Sequence, residues 1–228
     1  MSNLSCKMTI EVGGRPSPLS LAQIDEVLTA LRVHHPLIQF AFYPLLTVGD
    51  RDQKTSLRQL DRTDFFTKEI DAWVLEKEGR IGIHSAKDLA DPLKKGLSLY
   101  CLTSGLDPAD VLVMRPNETI EKLPLGALIA TSSQRREESV RQLRADLTFC
   151  DLRGTIGQRL AKLEKGEVEG VVVAECALIR LGLNHLNRIR LPGNTAEGQG
   201  KLAIVGRSEI LATSQDREIK MLFSSLEC

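Results

Sequence analysis

The sequence predicts an α/β fold built as two lobes, on two observations. Strand-patterned and helix-patterned segments alternate from one end of the chain to the other, which implies mixed, largely parallel sheets. That alternation is interrupted at Thr103-Ser104-Gly105-Leu106-Asp107-Pro108 and again at Pro192-Gly193-Asn194-Thr195. Two interruptions imply a chain that leaves its first lobe and returns to it. Residues 1–103 with 197–228 are therefore expected to form a discontinuous first lobe, and residues 106–193 a second one. Ligands of such architectures bind in an interlobe cleft, at the carboxyl ends of strands and the helix starts behind them.

Each element follows from local pattern. Residues 8–12 and 38–43 are rich in β-formers and bounded by Gly or Pro, so both read as strands. Between them Leu21, Ile24, Val27, Leu28 and Leu31 recur at helical spacing behind the start signal Ser17-Pro18. Phe66, Ile70, Trp73 and Val74 mark a second amphipathic helix, with Trp73 on its core side. Further strands are expected at 81–83, 97–102, 111–114, 128–130, 147–152 and 171–174. Helices are expected after Arg135, after Ile156 (with Leu160 and Leu163 on the same face) and over 177–181. A last strand at 202–205 precedes a helix near 216–223.

Composition excludes several classes. Lys+Arg and Asp+Glu both number 30, so a basic surface can only be local, and nucleic acid is not the expected partner. No stretch approaches the roughly 20 apolar residues of a spanning helix, so no membrane association is expected. The first residues lack the charged-then-apolar layout of a secretory signal, which points to the cytoplasm. The five cysteines are scattered without metal-ligand spacing, so no metal site is expected. Cys101, Cys150 and Cys176 lie in apolar surroundings and read as core fillers, whereas Cys6 and Cys228 read as exposed thiols.

Arginine placement carries the functional signal. Ala130-Thr131-Ser132-Ser133-Gln134-Arg135-Arg136 follows an apolar run, which puts two guanidinium groups where a strand gives way to a helix. Asp151-Leu152-Arg153-Gly154-Thr155-Ile156-Gly157-Gln158-Arg159-Leu160 repeats the arrangement, and Arg180 completes the set. Planar guanidinium forks pair with carboxylates through parallel hydrogen bonds, and helix N-termini add unpaired N–H groups. Such a site suits a ligand bearing several carboxylates. In the first lobe, His84-Ser85-Ala86-Lys87-Asp88 presents a small polar residue, a cation and a carboxylate at a strand end. A carboxylate there can stabilise a developing cation or manage a proton. His84 alone reads as a hydrogen-bonded structural residue. Arg15 lies in a turn after the first strand, and Gly198-Gln199-Gly200 forms a turn before the last.

Taken in order, these motifs resemble those of the porphobilinogen deaminase (hydroxymethylbilane synthase) family over almost all of the chain. The family's Arg-x-Ser-Pro-Leu-Ala-Leu-x-Gln is similar to Arg15-Pro16-Ser17-Pro18-Leu19-Ser20-Leu21-Ala22-Gln23. Its His-Ser-x-Lys-Asp matches His84 to Asp88, and its Asp-Pro-Arg-Asp resembles Asp107-Pro108-Ala109-Asp110. Gly-Thr-Ser-Ser-x-Arg-Arg is similar to residues 130–136, and Leu-Arg-Gly-Asn-x-x-Thr-Arg-Leu to residues 152–160. Leu-x-Arg-Leu-Gly-Leu corresponds to Leu178-Ile179-Arg180-Leu181-Gly182-Leu183, and the family's Gly-Gln-Gly to residues 198–200.

The resemblance implies two lobes of the periplasmic-binding-protein (type II) kind. It also implies a transferase of porphyrin and haem biosynthesis, joining four porphobilinogens head to tail into hydroxymethylbilane with loss of ammonia. By motif, Arg15, Arg135, Arg136, Arg153, Arg159 and Arg180 would hold the acetate and propionate side chains. Asp88 would be the catalytic carboxylate, bonding pyrrole N–H groups and stabilising the azafulvene cation. Ser17, Ser85, Lys87, Thr131, Ser133 and Gln199 would be supporting polar contacts. A dipyrromethane primer is the implied cofactor, porphobilinogen the implied small-molecule partner, and a monomer the implied state.

Two departures from the family pattern stand out. Residues 60–69, Leu60-Asp61-Arg62-Thr63-Asp64-Phe65-Phe66-Thr67-Lys68-Glu69, keep the family's helix start but lack the glycines of its flexible loop and gain two aspartates. The resemblance implies a third domain with a primer-bearing cysteine in a Gly-Gly-Cys context; no Gly-Gly-Cys occurs in these residues, and the expectation is a chain without that domain, with Cys228 as the candidate thiol near the expected place. The alternative reading is a non-catalytic binder of pyrroles or other small polycarboxylates on the same two-lobed scaffold. A general anion- or solute-binding receptor is a third, which the lack of an export signal disfavours.

Overall fold

A computed structural model of the chain describes residues 8–59 and 63–226, with the side chain of Gln59 left undescribed. Cys6, Cys228 and the loop positions Leu60, Asp61 and Arg62 lie outside the described residues. The chain divides into two compact units: Met1–Arg51, Arg62–Ser104 and Lys201–Cys228 form one, and Asp52–Asp61 with Gly105–Gly200 form the other.

The first unit opens with strand β1 (Thr9–Gly14) and helix α1 (Pro18–His34). Ser17 Oγ caps α1 by accepting the Ser20 N–H at 3.3 Å, and Pro18 occupies the first turn, where no donor is lost. Strand β2 (Gln39–Pro44) and a single-turn helix α2 (Val48–Arg51) follow, then α3 (Lys68–Glu76), β3 (Arg80–Ser85) and β4 (Leu97–Leu102). The sheet order is β2-β1-β3, continued by the returning strand β10 (Leu202–Arg207) and then β4. β1 pairs in parallel with β2 and β3, whereas β10 runs antiparallel to both β3 and β4. The last helix, α7 (Ser214–Phe223), belongs to the same unit.

Side chains alternate across this sheet, so neighbouring strand residues serve different faces. Ile10, Val12, Ile81, Ile83, Leu202 and Ile204 pack with Ile24, Val27 and Leu31 of α1 and Ile219 and Phe223 of α7. Val205, one residue from Ile204, instead joins Leu97 and Val74 of α3. Trp73, expected in the core, is half-buried: it packs beside Val74, with Arg80 over its ring at 4.3 Å and Tyr43 at 5.2 Å.

The second unit contains β5 (Asp110–Val113), β6 (Leu128–Ala130), α4 (Gln134–Leu143), β7 (Thr148–Cys150), α5 (Ile156–Glu164), β8 (Gly170–Ala174), α6 (Glu175–Arg180) and β9 (Arg188–Arg190). Its sheet order is β7-β6-β8-β5-β9. β6 runs parallel to β7 and β8, and β5 antiparallel to β8 and β9. Leu112, Ile129, Val140, Leu147 and Val172 form its core. Every residue of β8, Gly170 to Ala174, is buried, in keeping with its unbroken apolar run at the sheet centre. Cys101 and Cys176 are buried as expected; Cys150, at the end of the edge strand β7, is half-buried, because an edge strand has a neighbour on one side alone.

Candidate functional site

In the second unit the two arginines at the start of α4 meet at one buried acid. Asp110, the first residue of β5, is 3 % exposed. Its Oδ1 accepts from Arg136 Nε at 2.9 Å and lies 2.7 Å from Arg136 Nη2, while its Oδ2 accepts from Arg135 Nη2 at 2.6 Å. Gln199 closes the cluster. Its Nε2 donates to Asp110 Oδ1 at 2.9 Å and to the Pro108 carbonyl, and its Oε1 accepts from Arg136 Nη2 at 3.3 Å. Burial alone would raise the Asp110 pKa. The charge and hydrogen bonds of Arg136, with those of Gln199 and Arg135, outweigh it and hold the carboxyl below its ordinary value. Two guanidinium groups thus share one carboxylate, which leaves a local charge of plus one. Arg136 is buried, whereas the Arg135 side chain keeps 31 % exposure and also donates to the Asn194 carbonyl.

Thr131 and Ser133, on the same strand-to-helix connection, are buried and half-buried respectively. Ser133 stands at the N-cap of α4 in extended conformation, without a side-chain cap bond. Segment 52–59, which belongs to this unit, lies against the connection. Arg58 Nη2 donates to the Thr131 carbonyl at 3.3 Å and pairs with Glu137 of α4 at 2.7 Å, and Arg58 Nε is 3.9 Å from Asp151.

The second arginine motif is shaped by a turn and a cap. Gly154, at φ +96°, takes a left-handed conformation that suits glycine. Thr155 then starts α5 with a reciprocal box: its Oγ1 accepts the Gln158 N–H at 3.3 Å, and Gln158 Oε1 accepts the Thr155 N–H at 2.8 Å. Arg153 donates to the Asp52 carbonyl, and Arg159 Nε to the Gly154 carbonyl at 2.8 Å. Arg180 donates to the Gly200 carbonyl at 2.8 Å, but it is the last residue of α6 and not at a helix start. Arg135, Arg136 and Gln199 are therefore brought together through Asp110, while Arg153, Arg159 and Arg180 are each tied to a separate carbonyl. All of the last three are half-buried.

In the first unit, Arg15 forks onto Asp50, its Nε lying 3.0 and 3.1 Å from the two carboxylate oxygens, and it stacks over Phe66 at 4.6 Å. Asp50 also accepts from Thr47 N and Oγ1. Burial raises the Asp50 pKa, but Arg15 and Thr47 together bring it below the ordinary value. Ser85 ends β3, and Lys87 and Asp88 lie in the single turn behind it, all half-buried. Among the described residues, the Asp88 carboxylate makes no ion pair. Ser17, placed among the supporting contacts, is engaged in capping α1.

Sequence reading missed the acids that hold these arginines. Asp50 is 35 positions from Arg15, and no local pattern links them. Asp110 was inside a quoted motif, where a strand-opening carboxylate ahead of Val111 to Val113 could have signalled a buried counter-ion. His84 is buried as a structural residue, its Nε2 lying 3.5 Å from Asp71 Oδ1 and forming no hydrogen bond among the described residues. Three or more His, Cys, Asp or Glu side chains placed to hold a metal ion do not occur among the described residues.

Comparison with known proteins adds a family and a fold. The family model described as "Porphobilinogen deaminase, dipyromethane cofactor binding domain" matches residues 10–215. A porphobilinogen deaminase of Xanthomonas campestris pv. campestris is 38% identical over 204 residues, covering 88% of this chain and 67% of the relative. The porphobilinogen deaminase of Nostoc sp. is 37% identical over 211 residues, covering 90% and 65%. The chain thus spans about two thirds of the length of the relatives it matches. Among solved structures, a sulfate-bound mutant form of the OxyR2 regulatory domain from Vibrio vulnificus aligns with a TM-score of 0.56 at 12% identity, covering 99% of this chain and 98% of that one. A Bacillus subtilis protein described as a probable amino-acid ABC transporter extracellular-binding protein aligns at 0.52 and 14% identity, over 96% and 93%. At such identities the likeness concerns the fold, which is of the periplasmic-binding-protein type II kind with mixed α/β sheets.

Proposed function

The chain belongs to the porphobilinogen deaminase family, and we propose that it condenses four porphobilinogens head to tail into hydroxymethylbilane, releasing ammonia, in tetrapyrrole (haem) biosynthesis. The observation that carries this reading is the pair Arg135 and Arg136 on the single carboxylate of Asp110. The unbalanced positive charge suits a ligand that brings its own carboxylates, as porphobilinogen does with its acetate and propionate. In this reading Arg15, Arg153, Arg159 and Arg180 add further carboxylate contacts, with Ser85, Lys87, Thr131, Ser133 and Gln199 in support. Asp88 accepts pyrrole N–H bonds and stabilises the azafulvene cation formed when ammonia leaves the substrate.

The donor set also suits the family's dipyrromethane cofactor, whose own acetates and propionates would be held by the same arginines. When bound, that group supplies the pyrrole terminus that is extended. Its covalent anchor is a separate matter. Cys101 and Cys176 are buried, and burial raises the thiol pKa of half-buried Cys150, which disfavours the reactive thiolate. Cys228 remains a candidate outside the described residues. Intact mass before and after incubation with porphobilinogen tests the reading: stepwise gains of one pyrrole unit support it, and an unchanged mass without ammonia release contradicts it.

A further inference from the structure

Arg135 and Arg136 follow one another in the first turn of α4, so their side chains leave the helix in different directions. Left alone, two adjacent guanidinium groups repel and would splay into solvent. Here they are drawn onto one acid that is itself nearly inaccessible. Arg136 brings Nε and Nη2 to Oδ1, and Arg135 brings Nη2 to Oδ2, so each oxygen of Asp110 fixes one arginine. The acid is fixed in turn. Gln199 donates to its Oδ1 and to the Pro108 carbonyl, while accepting from Arg136. Gln199 is itself buried, and Asp110 opens a strand paired on both sides, so neither can follow a moving arginine.

We infer that Asp110, locked by Gln199, is the positioning residue for the carboxylate-binding pair Arg135 and Arg136. Its single negative charge sets both guanidinium planes but neutralises one of the two cations, and the remaining charge is offered to a ligand at Arg135, the more exposed member. Full neutralisation would weaken anion binding, and no neutralisation would let the pair spread. The inference rests on the reading above that these arginines hold pyrrole carboxylates.

The test uses the full chain as wild type and as D110N, D110E and Q199L. Porphobilinogen binding is followed by titration calorimetry, fold by thermal melting, and Arg136 accessibility by phenylglyoxal labelling mapped with mass spectrometry. Folded D110N is expected to bind roughly tenfold more weakly or worse, with Arg136 changing from protected to reactive. D110E recovers part of the binding because the carboxylate charge is kept, and Q199L falls between wild type and D110N. D110N with wild-type affinity and a protected Arg136 overturns the proposal. If D110N does not fold, Q199L decides: unchanged binding and labelling overturn it. Wild type that binds no porphobilinogen refutes the ligand reading, while the labelling still decides whether Asp110 positions Arg136.

Discussion

His84 Nε2 lies 3.5 Å from Asp71 Oδ1, with both side chains almost wholly buried and no hydrogen bond joining them. Burial pushes the Asp71 pKa up to about 6, more than its polar neighbours Thr67 and Lys94 offset. Burial and the nearby Arg15 charge bring His84 down to about 4. The two groups act on stability with opposite sign. Asp71, raised in the fold, contributes stability that is full below its unfolded pKa and is lost as pH climbs toward 6. His84, lowered in the fold, contributes stability that is full above its unfolded pKa and is lost as pH falls toward 4. Each effect is on the order of 3 kcal/mol, so they largely cancel in the wild type between these values. Denaturant melts at pH 4 to 6.5 should show D71N losing stability as pH falls and H84N gaining it; parallel trends would contradict the assignment.

Arg58 ties segment 52–59 to the Thr131 connection through Glu137. Its side chain is 23% exposed, so screening limits the pair to about 1 kcal/mol. R58A should leave global stability nearly unchanged while speeding amide exchange across residues 52–59, and unaltered exchange there would show that the segment is held by other contacts.

Gly200 has φ +91°, and a Cβ built on it would stand 2.3 Å from the Leu106 carbonyl oxygen. The obstacle is backbone, so it cannot rotate away. G200A is expected to cost roughly 2 kcal/mol or more from combined strain and clash, read as a lower midpoint in denaturant with an unchanged slope. A midpoint equal to wild type would show that the turn re-forms around the methyl group.

The regular skeleton was legible because its signals are local. Runs rich in apolar and β-forming residues such as 97–102 and the 3.6-residue spacing of Leu21 to Leu31 mark their elements within a few positions. Strand β9, Arg188–Arg190, escaped because two of its three residues are charged and it exists through pairing with β5. Helix α2 is a single turn, too short to show a period. The antiparallel course of β5 and β10 depends on which strands become neighbours, which no window of sequence records. The arginines were visible as an anion-binding set. Their pairing was not, because Asp50, Asp110 and Gln199 reach them across 35, 26 and 63 positions.

Ammonia released on mixing the purified chain with porphobilinogen tests the central claim most directly, measured beside a folded D88A protein. The account predicts release by wild type and a loss of at least about a hundredfold in D88A, the usual scale for removing a group that stabilises developing charge. Release by D88A at the wild-type rate, or none from wild type that nonetheless binds porphobilinogen, would contradict it.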